Sequence, residues 1–296
     1  MIFKYLFIKW PEYRKLFFWR SGFLVLTLCT AACSSPAQRI DTVAAEYGLQ
    51  RRIILGDAFR HISYLKIAQP SSGRLHVYIE GDGRPWLFGR YIADDPTTER
   101  PLALELANLD SENVLYLGRP CYMGLQQDGM CEEKYWTSAR FSPAVVASML
   151  AAVRRVVDEL DINHVSLIGY SGGGSLAMLM ASDVFSSAIS ELDAVVTISA
   201  NLDVAAWTVQ HGYLPLNESL DPMLAMYSNS VNYLHYSGAA DDNVPSSQLL
   251  SFVAAHGGQY KILDAVDHSC CWLQLWPELL KQDVSPLERH ADDRRR

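Results

Sequence analysis

Basic charge is scarce in this 296-residue chain once its first 32 residues are set aside. The remainder carries 20 Lys and Arg against 32 Asp and Glu, a net charge near −12, and its one basic cluster is the terminal run Arg294–Arg296. A surface of that sign repels phosphate backbones, which argues against a nucleic-acid partner. No segment recurs at a fixed period and no low-complexity tract interrupts the chain, so solenoids and propellers are excluded. Neither a CxxC pair nor an HxxxH spacing occurs, and no metal or cofactor is expected.

What is present begins with an N-terminus unlike the rest. Lys4, Lys9, Arg14, Lys15 and Arg20 precede the uncharged run SGFLVLTLCTAACSSPAQ, with Glu12 the lone acid. A basic stretch, a short apolar stretch and small residues after it describe a secretory signal over residues 1–32. Its end, Thr30-Ala31-Ala32-Cys33, resembles a bacterial lipoprotein signal, although Thr30 stands where that class usually has Leu. The resemblance implies that Cys33 is lipidated and becomes the mature N-terminus. Ser34 after it implies an outer-membrane lipoprotein of the cell envelope that faces the periplasm. The 18 uncharged residues are also just long enough to serve as an uncleaved membrane anchor.

Six cysteines are present, two of them, Cys29 and Cys33, in the signal. In an oxidising envelope Cys121, Cys131, Cys270 and Cys271 can pair in three ways. The short loop CYMGLQQDGMC favours Cys121 with Cys131, and the vicinal pair either rigidifies its own loop or bonds across to those two.

After a linker at 33–50, residues 51–285 form one domain in which strands and helices alternate, and 286–296 are a polar tail. FRHISYLKI (59–67) and RLHVYIEG (74–81) are strands joined by QPSSG, which suggests an antiparallel start. The clearest helix follows Ser142 as N-cap with Pro143 at its first position, and its apolar residues recur every three to four places as far as Leu160. Near-continuous apolar strands such as NVLYL and LDAVVTISA, separated by helices, mean an α/β architecture: a mostly parallel sheet covered on both faces. Residues 201–230 lie between two strands and are expected to form a small cap.

At the centre of this pattern the strand HVSLIGY breaks on Gly169-Tyr170-Ser171-Gly172-Gly173 and resumes as a helix. A strand-to-helix corner this tight strains its central residue and presents the serine oxygen at a helix N-terminus, where backbone N–H groups favour negative charge. A glycine-rich turn that merely packs helix on sheet is the bland reading of the same residues.

Here the chain resembles the α/β-hydrolase fold, over roughly residues 55–281. The resemblance implies a nucleophile, acid and histidine in that chain order. Ser171 is the nucleophile. GAADDNVP matches an acid turn G-x-x-D-x-x-V-P and places the acid at Asp241, with Asp242 and Asp203 as competitors. Of His256, His268 and His290, His268 lies just past the last strand, where the family has its base. The oxyanion donors are then the Gly172 amide and, in YIEGDGRPW, that of Asp82, with Gly83 the alternative. Glu80 stands where related chains often have histidine, a carboxylate that must be neutralised or turned away, with Arg84 or Arg119 as its candidate partner. Trp86, Trp136, Trp207 and Trp272 flank loops at the same sheet edge and either line a pocket or pack. Arg140 either binds a substrate anion or pairs with an acid.

These residues lead to a serine hydrolase, carboxylesterase-like, that cleaves a small-molecule acyl ester or thioester through an acyl-enzyme. Peptidase and acyltransferase chemistry use the same triad. A non-catalytic envelope binding protein on a hydrolase shell, and a redox role for Cys270 and Cys271, are the readings from other classes.

Overall fold

The computed structural model describes residues 35–285. The signal segment, the lipidation site Cys33, the tail and His290 lie outside the described residues. Among those described, no helix is long and apolar enough to cross a membrane.

An eight-stranded sheet organises the described residues, in the order β1-β2-β6-β3-β7-β8-β9-β10. Its strands are β1 Gln50–Leu55, β2 Arg60–Lys66, β3 Arg74–Ile79, β6 Asn113–Leu117, β7 His164–Tyr170, β8 Leu192–Ile198, β9 Asn232–Gly238 and β10 Gln259–Leu263. From β6 to β10 every neighbouring pair is parallel, whereas β2 meets both β1 and β6 antiparallel. β4 Trp86–Leu87 and β5 Tyr91–Ile92 form a separate small hairpin.

The helices are α1 Pro36–Glu46, α2 Leu102–Asn108, α3 Pro143–Leu160, α4 Gly172–Met180, α5 Val204–His211, α6 Ser246–His256 and α7 Trp272–Leu279. The central strands read as apolar runs because both of their faces are covered: every residue of β6 and β8 is buried. α3 starts where its sequence dictates. The Ser142 hydroxyl accepts from the Val145 N–H, Pro143 occupies the first turn, and Asp161 closes the helix in the left-handed conformation. Its buried stripe (Val145, Val146, Met149, Val153, Val156, Val157) repeats at helical spacing. Each such side chain contributes roughly 1.5–3 kcal/mol on burial.

Two expectations are corrected here. The strands at 60–66 and 74–79 are not partners, because β6 inserts between them, and the antiparallel start is β1 with β2. The expected linker at 33–50 is largely structured: 36–46 is a helix that buries Ile40 and Ala44, and Tyr64 donates to Asp41 at 2.7 Å. The segment 201–230 holds α5 and a 3-10 turn, Pro222–Leu224, stitched together by Asp221, whose carboxylate accepts from the amides of Val204, Ala205 and Met223.

Candidate active site

The carboxyl ends of the parallel strands meet along one edge of the sheet, and Ser171 sits there at the end of β7 with φ 52° and ψ −127°. A non-glycine residue in such a conformation costs about 1–3 kcal/mol and persists only where its surroundings hold it. The hold is close packing: a Cβ on Gly169 would lie 2.3 Å from the Gly173 carbonyl oxygen, so the strand and the first turn of α4 lie in direct backbone contact. All nine residues of α4 are buried behind the corner. Ser171 itself is partly exposed.

His268 comes from the loop after β10. Its Nε2 is 3.1 Å from Ser171 Oγ and its Nδ1 is 2.9 Å from Asp241 Oδ2. Asp241, at the end of β9, has a fully buried side chain, and its Oδ1 accepts from the amides of Asn243 and Val244 at 3.0 and 2.8 Å. Burial pushes the Asp241 carboxyl up, but the hydrogen bond from His268, its charge and the Val244 amide outweigh it and hold it below the usual carboxylate range. A carboxylate on Nδ1 fixes the tautomer that keeps the proton there and leaves the Nε2 lone pair toward the serine. The Trp272 indole donates to the His268 carbonyl at 3.2 Å, and the Tyr170 ring packs beside the imidazole.

The competitors fall elsewhere. Asp242 is exposed and offers only its backbone carbonyl, to Gln210. Asp203 caps α5 through the Ala206 amide. His256 ends α6, with Nε2 on the Met223 carbonyl. One partner that the sequence pattern did not single out is Asn243, whose side-chain amide is 3.0 Å from His268 Nε2. The signal lay in GAADDNVP itself, two residues past the acid.

The loop after β3 closes on the serine from the other side. A Cβ on Gly81 would lie 3.2 Å from Ser171 Cβ. Among the described residues, neither the Asp82 nor the Gly172 amide finds an acceptor. Gly83, the alternative donor, packs instead against the Pro96 carbonyl. The structure also corrects the expected partners of Glu80. Arg84 pairs with Glu99, and Arg119 with Asp82. The Glu80 carboxyl is turned away, accepting from the amides of Gly81 and Ala103 at the start of α2, and burial pushes its pKa up to about 8. At neutral pH it is therefore mostly uncharged.

Asp82 is held by two arginines: Arg119 Nη1 on Oδ1 at 2.5 Å and Arg140 Nη1 on Oδ2 at 2.7 Å. Burial raises the Asp82 carboxyl, and the two guanidiniums more than reverse that, so it stays ionised. Arg140 thus pairs with an acid.

The tryptophans mostly pack. Trp136 and Trp272 are buried, Trp207 donates to the Asn243 carbonyl, and only Trp86 stands well exposed. Cys121 is bonded to Cys131, and Cys270 to Cys271. Among the described residues no group of His, Cys, Asp and Glu could hold a metal ion.

Comparison with known proteins places the fold. No protein-family model matches the chain. No curated protein matches it either. Solved structures do. An esterase of Pyrococcus furiosus is 13% identical at a TM-score of 0.56, with 83% of this chain and 92% of that one covered. A serine hydrolase without lid from Xanthomonas campestris is 10% identical at 0.54, covering 80% and 94%. Est1E of Butyrivibrio proteoclasticus, solved with ferulic acid bound, is 14% identical at 0.54, covering 80% and 98%. At these identities the likeness is one of fold: the described residues adopt the α/β-hydrolase fold.

Proposed function

We propose that the protein is a serine hydrolase that cleaves an acyl ester or thioester through a covalent acyl-enzyme. One observation carries the reading: a strained, partly exposed Ser171 aligned through His268 with a buried, ionised Asp241. A serine hydroxyl is a poor nucleophile until a base takes its proton as it attacks. His268 Nε2 takes that proton while Oγ adds to the acyl carbonyl, and Asp241 stabilises the imidazolium that forms. The negative oxygen of the tetrahedral intermediate accepts from the amides of Gly172 and Asp82. Each such donor is worth about 10² to 10³ in rate. The imidazolium then protonates the departing alcohol or thiol, and water repeats the sequence on the acyl-enzyme. Ser171 stays partly exposed at the corner, which suits attack on a small acyl substrate.

The test is a fluorophosphonate probe, which forms a stable adduct only with an activated serine. The wild-type protein labels, and Ser171→Ala and His268→Ala both abolish labelling. A folded wild-type protein that stays unlabelled would instead support a non-catalytic binding protein on this shell. Peptidase and acyltransferase activities are separated from esterase by turnover of amide substrates and of added acyl acceptors.

The location in the cell envelope rests on the sequence of residues 1–34. Mass spectrometry of the membrane-extracted protein finds a diacylglyceryl group on Cys33 if this holds. A chain that keeps residues 1–32, or begins on an unmodified residue, removes the lipoprotein.

A further inference from the structure

Asp82 is an unexpected residue at an oxyanion donor. Its amide must serve a developing negative charge, yet the same residue brings a carboxylate. That carboxylate is not remote: a Cβ on Gly172 would lie 2.1 Å from Asp82 Oδ1, so it packs on the residue that supplies the other donor. Left alone, it would oppose the oxyanion and swing on its own side chain.

Neither happens, because Asp82 is gripped at three points from two segments, the loop after β6 and the stretch before α3. Arg119, just after β6, takes Oδ1, and Arg140, just before α3, takes Oδ2. Tyr122, inside the loop closed by Cys121 and Cys131, donates to the Asp82 carbonyl at 3.0 Å. The two arginines are also tied to one another and to the scaffold. Arg119 Nη2 reaches the Arg140 carbonyl at 3.3 Å, and Arg140 Nε donates to the Thr137 carbonyl at 2.8 Å. Their side chains are 2% and 5% exposed, and that of Asp82 is 18% exposed. Substrate therefore meets Asp82 and never the guanidiniums. With side chain and carbonyl both held, the Asp82 backbone has little room to turn, and the neighbouring Gly81 packs directly on Ser171.

We infer that Arg119 and Arg140 are positioning residues for acyl transfer: by holding both carboxylate oxygens of Asp82 they aim its backbone amide at the oxyanion and leave one net positive charge behind the two donors. The inference rests on the serine-hydrolase reading. It separates from simple stabilisation because a donor aimed at the tetrahedral intermediate acts on the transition state and little on bound substrate.

The experiment measures hydrolysis of p-nitrophenyl butyrate and inhibition by a trifluoromethyl ketone, whose hemiketal oxygen occupies the oxyanion position. Arg140→Met lowers kcat by about 10- to 100-fold, within the limit set by losing one donor outright. KM stays within about twofold, ketone affinity falls by the same factor as kcat, and Arg140→Lys recovers most of the loss. Undiminished kcat in a cooperatively melting Arg140→Met protein overturns the inference, as does a loss confined to KM or one that leaves ketone affinity intact. If Arg140→Met does not fold, Asp82→Asn, which keeps the volume and removes the charge that both arginines hold, reads the same split. Fluorophosphonate labelling of the wild-type protein keeps the two failures apart. A labelled wild type with unaffected variants sinks the positioning role alone. An unlabelled wild type sinks the hydrolase reading and this inference together.

Discussion

Three of the described histidines, His76, His164 and His268, bind an aspartate through the same nitrogen, and His268 and His76 make the sharpest contrast. At the carboxyl edge of the sheet, His268 Nδ1 meets Asp241 at 2.9 Å. At the opposite edge, near the start of β3, His76 Nδ1 meets Asp110 at 2.6 Å, the shorter contact. There the Tyr78 hydroxyl shares the carboxylate at 2.5 Å, Trp276 donates to Tyr78, and both members of the pair are 3% exposed. His268 is 22% exposed, and Ser171 lies within reach of its Nε2. Hydrogen-bond quality does not distinguish the pairs. What does is a strained, partly exposed serine on the other nitrogen of His268 and, among the described residues, two nearby backbone amides without an acceptor. The buried pair ties β3 to the turn after α2, and on the proposed function the exposed one holds a base ready.

The widest separation between the pairs comes from changing each aspartate in turn. Asp241→Asn lowers kcat/KM by about 10³ to 10⁴, because the imidazole loses the partner that sets its tautomer, while folding is largely kept. Asp242→Asn stays within about twofold of wild type, since its carboxylate faces solvent. Steady-state kinetics on an acyl ester decides, and reversed results would move the acid to Asp242.

Asp110→Asn has the opposite profile. Activity per folded molecule stays within about twofold, and urea unfolding shows a loss of about 3 kcal/mol as a buried pair loses its charge. A fall in kcat without a fall in stability would erase the distinction drawn above.

The smallest effect tests the carboxyl group behind the oxyanion loop. Glu80 ionises near 4.5 in the unfolded chain and near 8 in the fold, where the amides of Gly81 and Ala103, the Tyr116 hydroxyl and the charge of Glu105 surround it. Between those two values the folded protein keeps a proton that the unfolded chain has released, so stability declines as pH rises across the window. Glu80→Gln removes that decline. Thermal melts show the variant gaining a few degrees on wild type between about pH 5 and pH 8. A difference independent of pH would mean that Glu80 is already ionised in the fold.

The sequence made the triad legible because its three members stand at strand ends that periodicity locates: a broken apolar run before Ser171, an acid turn at 238–245, and a histidine just past the final strand. It showed the grip on Asp82 only in part: Arg119 stands out as a candidate partner for Glu80 and Arg140 for some acid, but nothing in the spacing says that one carboxylate, 37 and 58 residues earlier, takes both. It hid β1. Gln50 falls in the expected linker and Arg51-Arg52 carry no apolar signal of a strand, yet an edge strand leaves its polar side chains in water, where Arg52 finds Glu159. Pairing order was the other loss. A short turn between residues 66 and 74 invites a hairpin, but β6 lies between the two strands and pairs with both.

The wholly buried α4 has a consequence for how the protein fails. Its amides open to solvent only when the packing over it comes apart, so Ser171, the proposed nucleophile, is anchored to a well-protected element. His268 and Asp241 ride on loops at the surface edge, where opening takes far less. On warming, the histidine leaves before the serine does. On the proposed function, activity is then expected to fall through a local excursion that cooling reverses, while the corner stays intact until global melting.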